Sequence, residues 1–96
     1  MTLRQLVDTR RAEILRVAAR HGARNVRVFG SVARGDDDEQ SDLDLLVCMD
    51  PGRSLLDLSG LYLDLEALLG RHVDVVTEKG LRGRLRDRVL HEAVPL

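Results

Sequence analysis

The stretch Phe29–Val47, FGSVARGDDDEQSDLDLLV, contains a Gly-Ser turn and then two aspartates that alternate with leucine in an apolar run. Strands usually exclude aspartate, so Asp42 and Asp44 need either a solvent-exposed face or a chemical role. Side chains at positions i and i+2 of a strand share a face. We therefore predict that the two carboxylates point the same way, while Leu43 and Leu45 point into a core.

Predicted helices and strands surround this stretch in the order αβ(α)βαβα. A long first helix is predicted to begin after the cap residue Thr2 and to end at Gly22. A second long helix is predicted to begin after Ser54 and to end at Gly70. Strands are predicted over 25–29, 42–49 and 72–77, a short helix over 31–34, and a last helix from 81 to about 92 with Leu85 and Val89 inside. The fold class is α/β (α+β-like), one domain over 1–96 with a small mixed sheet of three to four strands packed with helices.

Composition narrows the functional class. The 96 residues carry 15 basic and 16 acidic side chains, so the chain lacks the basic surface of a nucleic-acid-binding protein. The lone Cys48 excludes a disulfide framework and is predicted to be a small buried hydrophobe. No apolar run approaches the ~18 residues of a membrane span, and the start lacks a signal-peptide pattern. We expect a soluble, cytoplasmic protein that contacts neither membrane nor nucleic acid.

A third carboxylate, Asp74, interrupts the next predicted strand between Val73 and Val75. If this strand pairs with the one that carries Asp42 and Asp44, three carboxylates converge on one patch of the sheet. They would repel each other without a cation, and such oxygen ligands suit Mg²⁺ or Mn²⁺. The alternative, which stays open here, is an antiparallel sheet whose wet face merely solvates the aspartates.

The Gly-Ser turn has features of a phosphate-binding site. Gly30 lets a ligand approach the backbone closely, and Ser31 offers a hydroxyl at the start of a short helix whose free N–H groups attract anions. Arg34, one turn later, can reach a phosphate. The loop is not a Walker A motif, because acidic residues follow Gly35 where lysine and serine or threonine are required.

The quoted stretch resembles the signature of the DNA polymerase β-like nucleotidyltransferase superfamily, a Gly-Ser followed after ten residues by Asp-x-Asp. Gly30-Ser31 and Asp42-Leu43-Asp44 match that signature, and Asp74 corresponds to the third carboxylate on a later strand. Arg34-Gly35 and Ser41 fit the fuller version found in small members. The length resembles that of the minimal nucleotidyltransferases (MNT), which are commonly the antitoxins of HEPN-domain ribonuclease toxins.

The resemblance implies transfer of a nucleoside monophosphate, AMP from ATP, to a tyrosine hydroxyl of a HEPN toxin. By the same resemblance Asp42, Asp44 and Asp74 are catalytic and hold Mg²⁺, with Mn²⁺ as the alternative ion. The resemblance also implies that the nucleotide is bound by Gly30, Ser31, Arg34, Asp42 and Asp44. A chain this short leaves no room for an acceptor-binding domain, so we expect a protein partner or a homo-oligomer to supply that surface.

Two other functions are weighed beside this one. The first is a non-catalytic antitoxin that inhibits its toxin by binding. The second is a nucleotidyltransferase that acts on a small molecule or an RNA end with a separate substrate-binding subunit. The three histidines show no metal-ligand spacing among themselves, so surface or helix-end roles are predicted for His21, His72 and His91.

Overall fold

A computed structural model describes all 96 residues, Met1–Leu96. The elements are α1 (Leu3–Thr9), α2 (Arg11–Arg20), β1 (Ala23–Phe29), α3 (Gly30–Arg34), β2 (Leu43–Met49), α4 (Leu55–Leu69), β3 (Val73–Thr77), a 3₁₀ turn (Glu78–Gly80), α5 (Gly83–Glu92) and β4 (Val94–Pro95). The mixed α/β fold with a small sheet is confirmed. None of these helices has the length and apolar character needed to cross a membrane.

The four strands form one mixed sheet in the order β3-β2-β1-β4. β2 and β3 run parallel, with α4 as the crossover between them, whereas β1 is antiparallel to both β2 and β4. Leu43, Leu45 and Val47 of β2 belong to the main core, which the sheet shares with α1, α2 and α4. The alternate residues of β2 lie on the opposite face, which α5 covers only in part.

The long first helix predicted up to Gly22 is wrong, because it is divided at Arg10. The Thr9 hydroxyl donates to the Gln5 carbonyl at 2.8 Å, a bond that competes with the helix and bends it. Arg10 then has φ −100° and ψ 13° and serves as both the end of α1 and the start of α2. The predicted capping box of Thr2 with Gln5 is present.

A short fourth strand completes the sheet. Val94 and Pro95 pair with Val28 and Arg27 of β1, and the Leu96 N–H donates to the Val26 carbonyl at 3.0 Å. Proline is tolerated there because β4 is an edge strand. The strands named from the sequence did not include this one.

Helix α5 begins two residues later than predicted, and only its second half packs on the sheet. Val89 is 3% exposed and contacts Leu46 and Leu81. Leu85, predicted to face inward, is 51% exposed. The inward prediction for Leu85 is wrong, because residues 82–88 are all exposed and the helix first reaches the core at Val89.

Cys48 is not a buried hydrophobe. It lies on the same face of β2 as Asp44 and Leu46, and this face is open beyond α5. Its thiol is partly exposed and donates to Glu78 Oε2 at 3.3 Å. The alternation of β2 therefore places it on the polar side of the sheet.

Candidate active site

The Gly-Ser turn joins β1 to α3 and lies directly against Asp44. Gly30 has φ +75°, and a Cβ at this position would fall on the Asp44 carboxylate, with Asp44 Cγ only 3.1 Å away. Glycine is required both by the backbone angle and by this close approach. No side chain caps the start of α3, so the first N–H groups and the Ser31 hydroxyl are available to an anion.

Strand pairing brings the predicted carboxylates to one end of the open face. Asp44 lies directly opposite Asp74 in the parallel β2–β3 pair, and Phe29 lies opposite Asp44 on the β1 side. Asp42 immediately precedes β2 and shares a face with Asp44. Side-chain oxygens of Asp42 and Asp74 lie within 4.8 Å of each other. The parallel pairing thus gathers the aspartates instead of spreading them along a wet antiparallel face.

Asp44 has the most perturbed charge of this group. Its carboxyl pKa rises from the ordinary 3.8 to about 6. Burial of the carboxyl contributes most to this rise, and the negative charges of Asp74 and Asp42 add to it. The positive charge of Arg34 acts in the opposite direction but does not cancel it. An ionised Asp44 is therefore unfavourable here unless a cation is bound.

The donor set fits a divalent cation. Asp44 is partly buried and accepts no hydrogen bond that would stabilise its charge, so its oxygens are free to coordinate. Mg²⁺ and Mn²⁺ bind through a few carboxylates, water and substrate phosphates, and Asp42, Asp44 and Asp74 supply such oxygens.

Arg34 is engaged by two carboxylates. Its Nε donates to Asp36 Oδ2 at 3.2 Å, and its terminal nitrogen donates to Glu92 Oε1 at 2.6 Å. These charges raise the pKa of the guanidinium, with the Asp36 hydrogen bond contributing most. A phosphate that binds Arg34 must therefore compete with Glu92, a residue from the last turn of α5 that the sequence analysis did not connect with the turn.

His72 lies beside the carboxylates, which the sequence analysis missed. Its Nδ1 is 2.7 Å from Glu66 Oε2, and its Nε2 is 3.2 Å from Asp74 Oδ1. Desolvation lowers the pKa of the imidazole, but the nearby carboxylates together raise it by more, Asp42 most strongly. The pKa of His72 is therefore raised overall. Spacing among histidines gives no sign of this site. The informative spacing is the two residues from His72 to Asp74, which put both side chains on one face.

Comparison with known families fits this geometry. Residues 12–96 match the family model of the nucleotidyltransferase domain. The chain belongs to the nucleotidyltransferase domain family. The resemblance given by the Gly-Ser and Asp-x-Asp motifs is therefore confirmed, and the enzyme class is that of a nucleotidyltransferase.

Two archaeal relatives of this nucleotidyltransferase domain cover most of its length. Protein adenylyltransferase MntA of Thermococcus cleftensis is 38% identical over 94 residues, which are 98% of this chain and 95% of the relative. A Methanocaldococcus jannaschii protein, provisionally named protein adenylyltransferase MJ0435, is 44% identical over 82 residues, which are 85% of this chain and 88% of the relative. Both names specify adenylyl transfer to a protein.

Solved structures agree on the fold. A structure provisionally described as a minimal nucleotidyltransferase superposes with a TM-score of 0.89 at 56% identity, covering 100% of this chain and 97% of the other. A crystal structure of a toxin–antitoxin with AMP-PNP superposes with a TM-score of 0.76 at 20% identity, covering 88% of this chain and 69% of the other. The second likeness shows the shared fold alone.

Proposed function

We propose that this nucleotidyltransferase transfers AMP from ATP to a hydroxyl group of a toxin protein and so acts as its antitoxin. The observation that carries the proposal is the convergence of Asp44, Asp74 and the Gly30–Ser31 turn at one end of the open sheet face. The names of the two archaeal relatives support adenylyl transfer to a protein. The resemblance to minimal nucleotidyltransferases adds the expectation that the toxin is of the HEPN type and that its acceptor is a tyrosine.

The triphosphate is assigned to the Gly-Ser turn. The free N–H groups at the start of α3 and the Ser31 hydroxyl donate to phosphate oxygens, and Gly30 leaves space for them. Arg34 assists by exchanging Glu92 for a phosphate oxygen, because both are anionic partners of one guanidinium. A triphosphate bound at this turn would lie beside Asp44, because Gly30 is in close contact with that carboxylate.

Asp42, Asp44 and Asp74 are assigned to the metal, Mg²⁺ or Mn²⁺. When bound, the ion neutralises triphosphate charge and lowers the pKa of the acceptor hydroxyl. The fit rests on the unpaired carboxylate of Asp44, whose charge is opposed by its two acidic neighbours. The carboxylates also orient the nucleotide by fixing where its phosphates lie relative to the turn.

The transfer is an in-line displacement at the α-phosphorus. The acceptor oxygen forms a new bond to that phosphorus, the bond from phosphorus to the bridging oxygen breaks, and pyrophosphate leaves with the electron pair. The hydroxyl proton goes to Asp74. Asp74 suits this role because β3 is an edge strand and its side chain is 53% exposed, so a protein acceptor can reach it.

Intact-mass spectrometry of the partner tests the proposal. The protein is incubated with Mg²⁺, labelled ATP and the co-encoded toxin, beside the Asp42→Asn/Asp44→Asn variant. The charge-matched control is Asp8→Asn/Asp87→Asn, which changes two exposed carboxylates of α1 and α5. We expect one or more AMP units on the toxin with the wild type and the control, and none with the first variant.

Other results select the alternatives. A toxin that is bound and inhibited without any mass gain, with every nucleoside triphosphate tried, makes this a contact antitoxin. Transfer only to a small hydroxyl compound or an RNA end makes the acceptor a different molecule. A single domain over residues 1–96, a homo-oligomer and a cytoplasmic location remain predictions beside this proposal.

A further inference from the structure

The Glu66–His72 pair connects the end of α4 with the carboxylates of the site. Glu66 Oε2 accepts the Val73 N–H at 3.0 Å and lies 2.7 Å from His72 Nδ1. The His72 carbonyl accepts the Leu43 N–H at 3.1 Å, which extends the β2–β3 pairing by one residue. Both the backbone and the side chain of His72 are therefore held, and the direction of its ring is fixed.

The other ring nitrogen of His72 faces the carboxylates. Nε2 is 3.2 Å from Asp74 Oδ1, and ligand atoms of Asp42, His72 and Asp74 all lie within 4.8 Å of one another. Ligand atoms on opposite sides of an octahedral ion at about 2.1 Å are about 4.2 Å apart. Adjacent ligand atoms on the same ion are about 3.0 Å apart, and at most one pair of three ligands can be opposite. His72 Nε2 and Asp74 Oδ1 therefore already have the spacing of adjacent ligands. Asp42 has to move closer to them, by up to about 1.8 Å, for all three groups to share one ion.

This arrangement has the form in which proteins present histidine to metals. A metal-ligating histidine nearly always uses its second ring nitrogen to donate to a carboxylate or carbonyl, which fixes the tautomer and orients the ring. Glu66 provides such a carboxylate, and it is itself fixed by a backbone N–H. A histidine that only needed to solvate a strand end would not require this second partner.

We propose that His72, oriented by Glu66, supplies a nitrogen ligand to the metal centre of Asp42 and Asp74. This inference rests on the proposed function and deepens it. The imidazole shifts the preference of the site from Mg²⁺ toward Mn²⁺, because Mg²⁺ strongly favours oxygen ligands whereas Mn²⁺ stands in the transition-metal series that also accepts imidazole. The competing arrangement is a His72 that merely holds Asp74 by a hydrogen bond.

Pulsed electron paramagnetic resonance of bound Mn²⁺ separates the two arrangements. A directly bound imidazole couples its ¹⁴N nucleus to the metal spin. We expect this coupling in the wild type and in the control His91→Gln, which changes an exposed histidine on α5, and its loss in His72→Gln. The Mn²⁺ dissociation constant should rise about tenfold in His72→Gln and in Glu66→Gln, within the range for ligand and outer-partner changes.

The Mg²⁺ dissociation constant, measured on the same samples, completes the test. We expect it to change less than about threefold in His72→Gln, because glutamine offers an oxygen in place of the nitrogen. Absence of ¹⁴N coupling in the wild type overturns the inference, as does equal weakening of Mn²⁺ and Mg²⁺ binding in His72→Gln. Far-ultraviolet circular dichroism establishes that each variant is folded.

AMP transfer to the toxin is followed in parallel, so that the two proposals fail separately. A wild type that transfers AMP but shows no ¹⁴N coupling refutes the His72 ligand and leaves the proposed function standing. A wild type with ¹⁴N coupling and no transfer supports the ligand and refutes the proposed function. A wild type that binds no Mn²⁺ at this site, with or without ATP, refutes the ligand.

Discussion

Replacing Asp44 by asparagine should stabilise the metal-free protein while it removes activity. The carboxyl pKa of Asp44 is about 6 in the fold against 3.8 for the ordinary group. A group with a raised folded pKa favours the fold fully below pH 3.8, and this contribution is lost as the pH rises through 6. Ionised Asp44 therefore destabilises the fold by at most about 3 kcal/mol at pH 8 and at most about 1.6 kcal/mol at pH 5, and solvent screening of this partly exposed carboxyl lowers both figures.

Urea denaturation in the presence of EDTA measures this difference. Asparagine has nearly the same shape and no charge, so Asp44→Asn should be more stable than the wild type by up to about 3 kcal/mol at pH 8. The advantage should shrink, by up to about 1.4 kcal/mol, when the pH is lowered from 8 to 5. Asp87→Asn, on the exposed side of α5, is the control for the loss of one negative charge.

Bound metal should make the wild type more stable than Asp44→Asn. An ion that binds only the folded wild type stabilises it by an amount that grows with the logarithm of the ion concentration, and Asp44→Asn should gain less. The reasoning about the site is refuted if Asp44→Asn is less stable than the wild type at pH 8 without metal. It is equally refuted if the difference between the two proteins does not change between pH 5 and pH 8.

Three further changes test the turn, its arginine and the crossover helix. Gly30→Ala should destabilise the protein more than Gly35→Ala does. Both glycines have a positive φ, which costs roughly 1–2 kcal/mol for alanine, but only a methyl group at Gly30 would meet Asp44. Equal losses of unfolding free energy in urea denaturation would contradict this. Glu92→Gln should lower the KM for ATP severalfold, because Arg34 then has one competitor fewer. The loss of stability should be small, since the Arg34 side chain is half-exposed. An unchanged KM argues against Arg34 as a phosphate ligand. Ser54→Ala should cost about 1 kcal/mol in thermal or urea unfolding through its lost capping box, whereas Ser59→Ala within the same helix should cost nothing measurable.

Most of the fold follows from local patterns in the sequence. Ser54 and Gly70 bound α4, with Gly70 at φ +65°, because capping depends on residues only a few positions apart. Features that depend on residues distant in the sequence could not be predicted from these local patterns. The two-residue strand β4 exists because Val94 and Pro95 meet β1. The exposure of Leu85 depends on α5 packing against the core only through its second half, at Val89.

The candidate site likewise has features that the sequence predicts and features that it does not. Asp42, Asp44 and Asp74 are candidates in the sequence because aspartate inside an apolar strand conflicts with β propensity. The structure places Asp44 opposite Asp74 and brings side-chain oxygens of Asp42 and Asp74 within 4.8 Å of each other. The partners of Arg34 and His72 were not foreseen. Glu92 follows Arg34 by 58 residues, and Glu66 reaches His72 only because α4 ends beside the start of β3. Such contacts depend on tertiary packing, for which one sequence offers no periodic signal.

The alternation of β2 explains how a small chain can hold an unfavourable charge at its centre. Leu43 and Leu45 on one face are fully buried, and burying each stabilises the fold by about 1.5–3 kcal/mol. Together they offset the cost of an ionised Asp44 on the other face, which is at most about 3 kcal/mol before solvent screening. The carboxylate can therefore remain without a protein partner and keep its coordination capacity for a cation. A donor placed against Asp44 would stabilise the metal-free fold, but it would compete with the metal for the same oxygens.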